Sequence, residues 1–387
     1  MKRIFAILLA VLMLVGTVSL VSCGSTKNYT ANNTEYYFGV SGPLTGGAAS
    51  YGIGVKNGAQ LAVDEINAAG GINGVMIKFE MTDDVHKAEN ISTNYATMFE
   101  AGMQVSLGCV TTNPCLEFKT LSHEDNLFFL TPSASGDKVP EFDNAYQMCF
   151  ADGNQGKVAA QYVNATFAGQ TIGMLYRADD AYSTGIREQF KANLDATITV
   201  VEASFTGDTV ASFASQIALL KDSKFIFMPI YSAPAAQFMT EAKNEIAVDA
   251  VYYGCDGLDG IDTSVDGFDI TTIPQEVSFL SHFNSKATEG PSAEFIRKYT
   301  EKFGTDTLNQ FAASAYDCVY AIAGAMIQAG DKISVTSTPS EICEVLKEIF
   351  NGGYTFSGIT GETIKWGADG YVNKEAIKYV VKESDAQ

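Results

Sequence analysis

The fold is decided by the stretch Ser41-Gly42-Pro43-Leu44-Thr45-Gly46-Gly47-Ala48-Ala49-Ser50-Tyr51-Gly52-Ile53-Gly54. Residues 36–40 before it have strand character, and apolar residues recur after it at helical spacing, at Val55, Ala59, Ala62, Val63 and Ile66. In an open parallel sheet, a loop between strand and helix lies where ligands bind, because helix N-termini offer free N–H groups there. We therefore predict that this glycine loop forms one wall of a small-molecule cleft, with Tyr51 as its large flat surface.

Length and composition bound the class of protein. A chain of 387 residues is longer than one hydrophobic core ordinarily organises, so we expect two lobes. Hydrophobic residues make up 46% and charged residues 18%, which is typical of a globular protein. The formal charge of −20 argues against nucleic acid as a partner, since its binding needs clustered Lys and Arg.

The N-terminus has the pattern of an export signal. Lys2-Arg3 precedes an uncharged apolar run over residues 4–21, followed by small residues, so residues 1–22 are interpreted as a signal peptide. Leu20-Val21-Ser22-Cys23 resembles the bacterial lipobox, which predicts lipidation of Cys23 and a polar tether over residues 23–34. The alternatives are an uncleaved signal anchor and an ordinary secretory cleavage. We expect an extracytoplasmic protein, lipid-anchored to the bacterial cell membrane, at the cell surface or in the periplasm.

Strand and helix patterns alternate along most of the chain. The alternation runs through residues 76–135 and restarts at residues 156–257, which predicts an α/β protein with two Rossmann-like lobes built on parallel central sheets. Helical patterns dominate after Pro291 and must cover a sheet already built. We therefore expect an N-terminal lobe of residues 35–153 completed by about 283–355, and a C-terminal lobe of residues 154–282 completed by about 356–387.

The sequence contains no recognisable catalytic or metal-binding motif. The histidines at 86, 123 and 282 lie far apart, and the six cysteines after residue 23 form no C-x-x-C pair. The run Gly52-Ile53-Gly54-Val55-Lys56-Asn57-Gly58 imitates a dinucleotide fingerprint but starts about ten residues beyond the strand. We predict a binding protein with no cofactor, no metal and no enzymatic activity; the disulfide pairing is left open.

The predicted strand ends carry groups that suit an α-amino acid. Neutral donors for a carboxylate follow two strands at Thr112, Ser133 and Ser135. Asp256 follows a strand of the other lobe and could neutralise an ammonium group. Aromatic walls with polar tips are offered by Tyr51, Tyr182 and Tyr231. Helix capping for the hydroxyl residues and ordinary packing for the tyrosines are the alternatives for each residue taken singly.

Several motifs together resemble a known family, the branched-chain (Leu/Ile/Val) amino-acid-binding proteins of ABC transporters, which are type I periplasmic binding proteins. The resemblance runs from about Tyr37 to the end. It rests on Gly42-Pro43-Leu44-Thr45-Gly46 with Tyr51-Gly52, on residues 62–74, Asp83-Asp84, Thr131-Pro132-Ser133-Ala134-Ser135 and Ala315-Tyr316-Asp317, and on residues 356–361 with Trp366 and Gly370.

The resemblance implies two lobes joined by a three-crossing hinge that close on the ligand. Thr112, Ser133 and Ser135 would bind its carboxylate, Asp256 with Tyr231 and the Ser133 carbonyl would face its ammonium, and Tyr51 and Tyr182 would line the side-chain pocket. Two departures stand out. Asp256 replaces the glutamate of many relatives, and Val85-His86 and Thr111 stand where some relatives have a disulfide.

The predicted function is that of the solute-binding component of an ABC importer, working as a monomer with a permease and its ATPase subunits. The expected ligand is a small amino acid, branched-chain or otherwise aliphatic. The alternatives are a ligand-sensing protein for a receptor and an importer component for an amide, urea or an aromatic acid.

Overall fold

A computed structural model describes the chain at residues 29, 33–263 and 265–386. The predicted signal peptide, most of the predicted tether and the predicted lipidation site Cys23 lie outside these residues. Within the described ranges, no helix combines the length and the apolar character that a membrane span requires.

The first sheet has five parallel strands in the order β2-β1-β3-β4-β5. Its strands are β1 (Tyr36–Gly42), β2 (Ile77–Asp83), β3 (Val105–Cys109), β4 (Phe129–Thr131) and β5 (Ala145–Gln147). The helices between them are α1 (Ala49–Ala68), α2 (Ile91–Glu100) and α3 (Thr112–Glu124). β1 is buried along its whole length, as expected for a strand covered by helices on both faces.

The second sheet has six strands in the order β13-β10-β9-β8-β6-β7, and all pairs are parallel except β10 with β13. Its strands are β6 (Thr171–Arg177), β7 (Thr199–Phe205), β8 (Phe225–Met228), β9 (Val251–Gly254), β10 (Glu276–Ser281) and β13 (Ile377–Lys382). The helices of this part are α4 (Asp152–Thr166), α5 (Ala181–Ala192), α6 (Ala214–Leu220) and α7 (Ser232–Ala242).

The late part of the chain returns to the first sheet before it ends on the second. It forms α8 (Gly290–Phe303), α9 (Gln310–Ala329), α10 (Pro339–Asn351) and a hairpin of β11 (Thr355–Gly358) and β12 (Gly361–Lys365). Buried residues of α9 and α10, and Trp366 after the hairpin, share one hydrophobic core with β1 and α1. The chain therefore passes between the two sheets three times, after β5, after β10 and before β13.

The glycines of the opening stretch serve helix packing more than loop formation. The helix begins at Ala49, so Tyr51, Gly52 and Gly54 lie inside it, not in the loop that the sequence suggested. A Cβ at Gly58 would stand 2.0 Å from the Ala312 carbonyl oxygen, which makes α1 and α9 pack backbone against backbone. Gly52, Gly54 and Gly58 are required by the close approach of other parts of the chain and not by positive φ angles, whereas Gly46, in the loop before α1, has a φ of +83°.

Candidate functional site

One cavity between the two sheets collects all the residues that the sequence proposed for ligand binding. Its volume is about 10 Å³, and its walls include Tyr51, Thr112, Ser133, Ser135, Tyr182, Tyr231 and Asp256, together with Val110, Thr111, Gly257 and Phe311. We call it the inner cavity. Each of its residues follows the carboxyl end of a strand or begins the next helix, because parallel strands of a sheet end at one edge.

The first-sheet side of the inner cavity offers hydroxyl and backbone groups. Thr112 is the first residue of α3, so its hydroxyl stands beside free N–H groups at the positive end of a helix. The Thr112 hydroxyl accepts a hydrogen bond from the Gly136 N–H at 3.2 Å and keeps its own proton for a ligand. The Ser133 hydroxyl donates to the Val110 carbonyl at 2.7 Å, so it must rotate before it can donate to a carboxylate.

The second-sheet side carries a buried carboxylate held in a fixed position. Asp256 is 2% exposed, and its Oδ1 accepts hydrogen bonds from the Tyr182 hydroxyl at 2.7 Å and from Gln155 Nε2 at 3.0 Å. The Asp256 N–H donates in turn to Gln155 Oε1 at 2.9 Å. The Tyr182 hydroxyl also accepts from the Gly257 N–H at 2.9 Å. This network orients the carboxylate toward the cavity that Asp256 lines.

Buried acids make the site electrically unbalanced without a ligand. Burial raises the pKa of Asp256 from 3.8 to about 6, although hydrogen bonds from Tyr182 and Gln155 oppose the rise. Burial, followed by the charge of Asp256, also raises the pKa of Asp152 well above its ordinary value. Charged carboxylates in such a place are costly until a cation neutralises them. The arrangement therefore favours a ligand with a positive group next to Asp256.

Tyr51 joins the two sides of the cavity. Its hydroxyl donates to the Gly257 carbonyl at 2.6 Å and accepts from the Ser232 N–H at 2.8 Å, although Tyr51 belongs to α1 on the first sheet. Its ring lies 5.2 Å from that of Phe311 and 5.5 Å from that of Tyr231, measured between centroids. The cleft between the sheets is thus closed over the cavity, and Tyr51 both lines it and links its two sides.

Three participants were missed in the sequence. Phe311 comes from α9, which is remote in the chain, and Gln155 looks like an ordinary polar residue of α4. Thr111 lines the cavity, and its hydroxyl oxygen lies at hydrogen-bond distance, 2.9 Å, from His86 Nδ1. Tertiary contacts bring these residues together, and no local pattern marks them.

The described residues contain no group of three His, Cys, Asp or Glu side chains placed to hold a metal ion. Six cysteines in the same part of the chain are buried and free, at 109, 115, 149, 255, 318 and 343. This settles the pairing that the sequence left open for these six residues.

Comparison with known proteins identifies the architecture. Residues 35–382 match the family described as periplasmic binding protein. The chain belongs to this family. Membership implies an extracytoplasmic protein and confirms the family resemblance read from the sequence motifs.

Curated relatives include amino-acid-binding proteins. The Leu/Ile/Val-binding protein BraC3 of Rhizobium johnstonii is 30% identical over 233 residues, which is 58% of this chain and 62% of the relative, less than two thirds of its length. The leucine-, isoleucine-, valine-, threonine-, and alanine-binding protein of Pseudomonas aeruginosa is 24% identical over 319 residues, 80% of this chain and 81% of that protein.

Solved structures share the fold. The branched-chain amino acid transporter substrate binding protein LivJ of Streptococcus pneumoniae, in complex with isoleucine, matches with a TM-score of 0.76 at 23% identity, covering 91% of this chain and 97% of LivJ. An ABC transporter solute binding protein from R. palustris, in complex with benzoate, matches with a TM-score of 0.75 at 15% identity, covering 90% of this chain and 93% of that protein. The predicted α/β fold of type I periplasmic binding proteins is therefore confirmed.

Proposed function

We propose that this protein is the solute-binding component of an ABC importer and that it binds a small aliphatic α-amino acid in the inner cavity. The observation that carries the proposal is the pairing of opposite chemistries across one closed space. Thr112 at a helix N-terminus faces the cavity from one side, and the buried carboxylate of Asp256 lines the other. An α-amino acid carries a carboxylate and an ammonium on one carbon, and so satisfies both.

The proposed contacts follow from this geometry. The ligand carboxylate takes hydrogen bonds from Thr112, Ser133 and Ser135, and the ammonium lies against Asp256. Tyr182 holds Asp256 in place through its hydroxyl, since burial keeps the pKa of Tyr182 well above 10 and the hydroxyl protonated. The aliphatic side chain packs against aromatic rings, including those of Tyr51 and Phe311.

Binding is proposed to couple to closure of two lobes, one on each sheet. Tyr51 links the lobes across the cavity when the cleft is closed, and the three passages of the chain between the sheets serve as the hinge. The permease would recognise the closed, ligand-bound form. Lipidation of Cys23 would hold the protein at the membrane, and the protein would act as a monomer without catalysing a reaction.

An aromatic acid is the rival ligand, because a structural relative was solved with benzoate. A benzoate could use the same carboxylate donors as an amino acid. It has no ammonium, however, and would leave the buried Asp256 without a cation. Asp256 thus favours the amino acid.

A thermal-shift screen tests the proposal, since a ligand that binds the folded state raises the unfolding temperature. The panel contains the common L-amino acids, benzoate, urea and short amides. We expect aliphatic L-amino acids to stabilise the protein and benzoate to have no comparable effect. Stabilisation by benzoate, urea or an amide, with no amino acid active, would contradict the proposal.

A further inference from the structure

A second, larger cavity lies against the inner cavity. Its volume is about 200 Å³, and its walls include Gly46 and Val85 from the first-sheet side and Phe205, Ile230 and Pro234 from the second. We call it the outer chamber. Tyr231 lines both cavities. The two spaces are therefore neighbours in one interlobe cleft.

Aromatic side chains lie where the two spaces meet. The Tyr231 ring lies 5.0 Å from the Tyr182 ring and 5.1 Å from the His86 ring, between centroids. His86 lines the outer chamber and is hydrogen-bonded to Thr111, which lines the inner cavity. Tyr231 is only partly buried, and a ligand that occupies both spaces requires its side chain to turn aside.

The sizes of the two spaces suggest different roles. At about 10 Å³ the inner cavity is far smaller than the usual small-molecule pocket of roughly 300–1,000 Å³, so the two sides of the cleft must part before the α-amino and α-carboxylate groups enter it. At about 200 Å³ the outer chamber is also below that range, but it already has room for the end of a ligand side chain.

One buried acid of the outer chamber has a carboxylate oxygen without a hydrogen bond. Asp180 is 1% exposed and lines the chamber. Its Oδ1 accepts from the Tyr182 N–H at 3.3 Å and so caps α5, whereas Oδ2 is buried with no hydrogen-bond partner among the described residues. Arg177, a cation that also lines the chamber, is taken up by ion pairs with Asp179 at 2.8 Å and Asp208 at 2.6 Å. The charge of Arg177 acts on Asp180 and Lys87 also lines the chamber, but neither donates a hydrogen bond to Oδ2, which is left open to a positively charged donor.

We propose that the outer chamber receives the far end of a long basic side chain, whose ammonium or guanidinium group meets Asp180, so that the protein also binds α-amino acids of the L-lysine type. Apolar walls such as Val85, Phe205 and Ile230 accommodate the methylene groups of that chain. The inference rests on the proposed function, because the α-amino and α-carboxylate groups of the same ligand occupy the inner cavity.

The test compares L-lysine with L-norleucine, which has the same carbon chain without the terminal ammonium. Both are titrated calorimetrically into the native protein, Asp180→Asn and Asp179→Asn. Asparagine is also a good N-cap residue, so α5 keeps its cap in the first variant. Asp179→Asn makes the same change in charge at an acid that is paired with Arg177 and lies outside the chamber walls, and serves as the matched control.

We expect the native protein and Asp179→Asn to prefer L-lysine by about tenfold or more, the usual effect of a hydrogen bond between charged groups. Asp180→Asn should lose this preference while its affinity for L-norleucine stays within about twofold of native. No preference for L-lysine in the native protein, or the same loss in both variants, overturns the inference.

Asp256→Asn separates this inference from the proposed function. If Asp256→Asn no longer binds either ligand, and the preference for L-lysine depends on Asp180, both the proposed function and the inference about the outer chamber are supported. If both ligands depend on Asp256 and L-lysine gains nothing from Asp180, the assignment of the outer chamber is wrong and the inner site stands. If neither ligand binds, or Asp256→Asn changes neither affinity, the proposed function itself fails.

Discussion

Replacement of Asp256 by asparagine should have two opposite effects, one on ligand binding and one on the stability of the ligand-free protein. Asparagine keeps the oxygen that accepts from Tyr182 and Gln155, because both of these hydrogen bonds end on Oδ1. The variant therefore preserves the local network and removes mainly the negative charge.

The loss of binding follows from the burial of the proposed ion pair. Asp256 is 2% exposed, and breaking a buried pair by removing one partner costs roughly 3–5 kcal/mol. That range corresponds to a roughly 150- to 5,000-fold weaker dissociation constant for an aliphatic amino acid.

The gain in stability follows from the pKa of the same group. Burial raises the pKa of Asp256 from 3.8 to about 6, so stability is lost as the pH rises through about 6. At pH 7.5 the charged carboxylate destabilises the ligand-free folded protein by about 3 kcal/mol. Asp256→Asn should therefore unfold at a higher temperature than the native protein without ligand.

Calorimetric titration and thermal unfolding at pH 7.5 measure the two effects on one sample. Asp84→Asn is the matched control, because Asp84 is a buried carboxyl whose pKa burial also raises to about 6, and it lies outside the walls of the inner cavity. The control should bind amino acids like the native protein. An Asp256→Asn variant that is folded and binds within about tenfold of native would refute the reasoning.

Three further outcomes are expected. Tyr51→Phe leaves the Gly257 carbonyl without its donor in the closed cleft, so titration should show roughly tenfold weaker amino-acid binding; unchanged affinity would contradict its role as a link. Amino-acid affinity should fall about tenfold for each pH unit below about 6, because Asp256 must first release a proton; equal affinity at pH 5 and 7.5 would exclude this. Gly58→Ala should lower the unfolding free energy by about 1–3 kcal/mol, because the added Cβ clashes with the backbone of α9. Gly47→Ala is the control, because a Cβ at Gly47 meets no atom within 4 Å. Equal melting curves for the two variants would argue against close packing of α1 on α9.

The sequence predicts the site better than it predicts the sheets. Polar and aromatic residues at strand ends were assigned from alternation and family motifs, and the structure gathers all seven around one cavity. Strands β5 and β10 lie outside the stretches, residues 76–135 and 156–257, in which alternation was predicted. β5 has three residues, too few for a periodic pattern, and β10 is a buried run whose mixed composition hides its alternation.

The remaining errors and omissions have a tertiary origin. The glycines at 52, 54 and 58 look like a loop signal, yet they are helical and small because Pro43 and α9 approach them closely. Likewise, the partnership of Gln155 with Asp256 joins residues 101 positions apart in the chain. Neither contact leaves a local signature, since both depend on how the finished elements pack.

Recognition of an ammonium group by Asp256 is the central claim, and the comparison of L-leucine with 4-methylpentanoate tests it most directly. The two ligands share the carboxylate and the branched carbon chain, and only leucine carries the ammonium. Titration of the native protein at pH 7.5 should show leucine binding at least about 100-fold more tightly, because 4-methylpentanoate leaves Asp256 buried and unpaired. Equal binding of the two compounds would contradict the account.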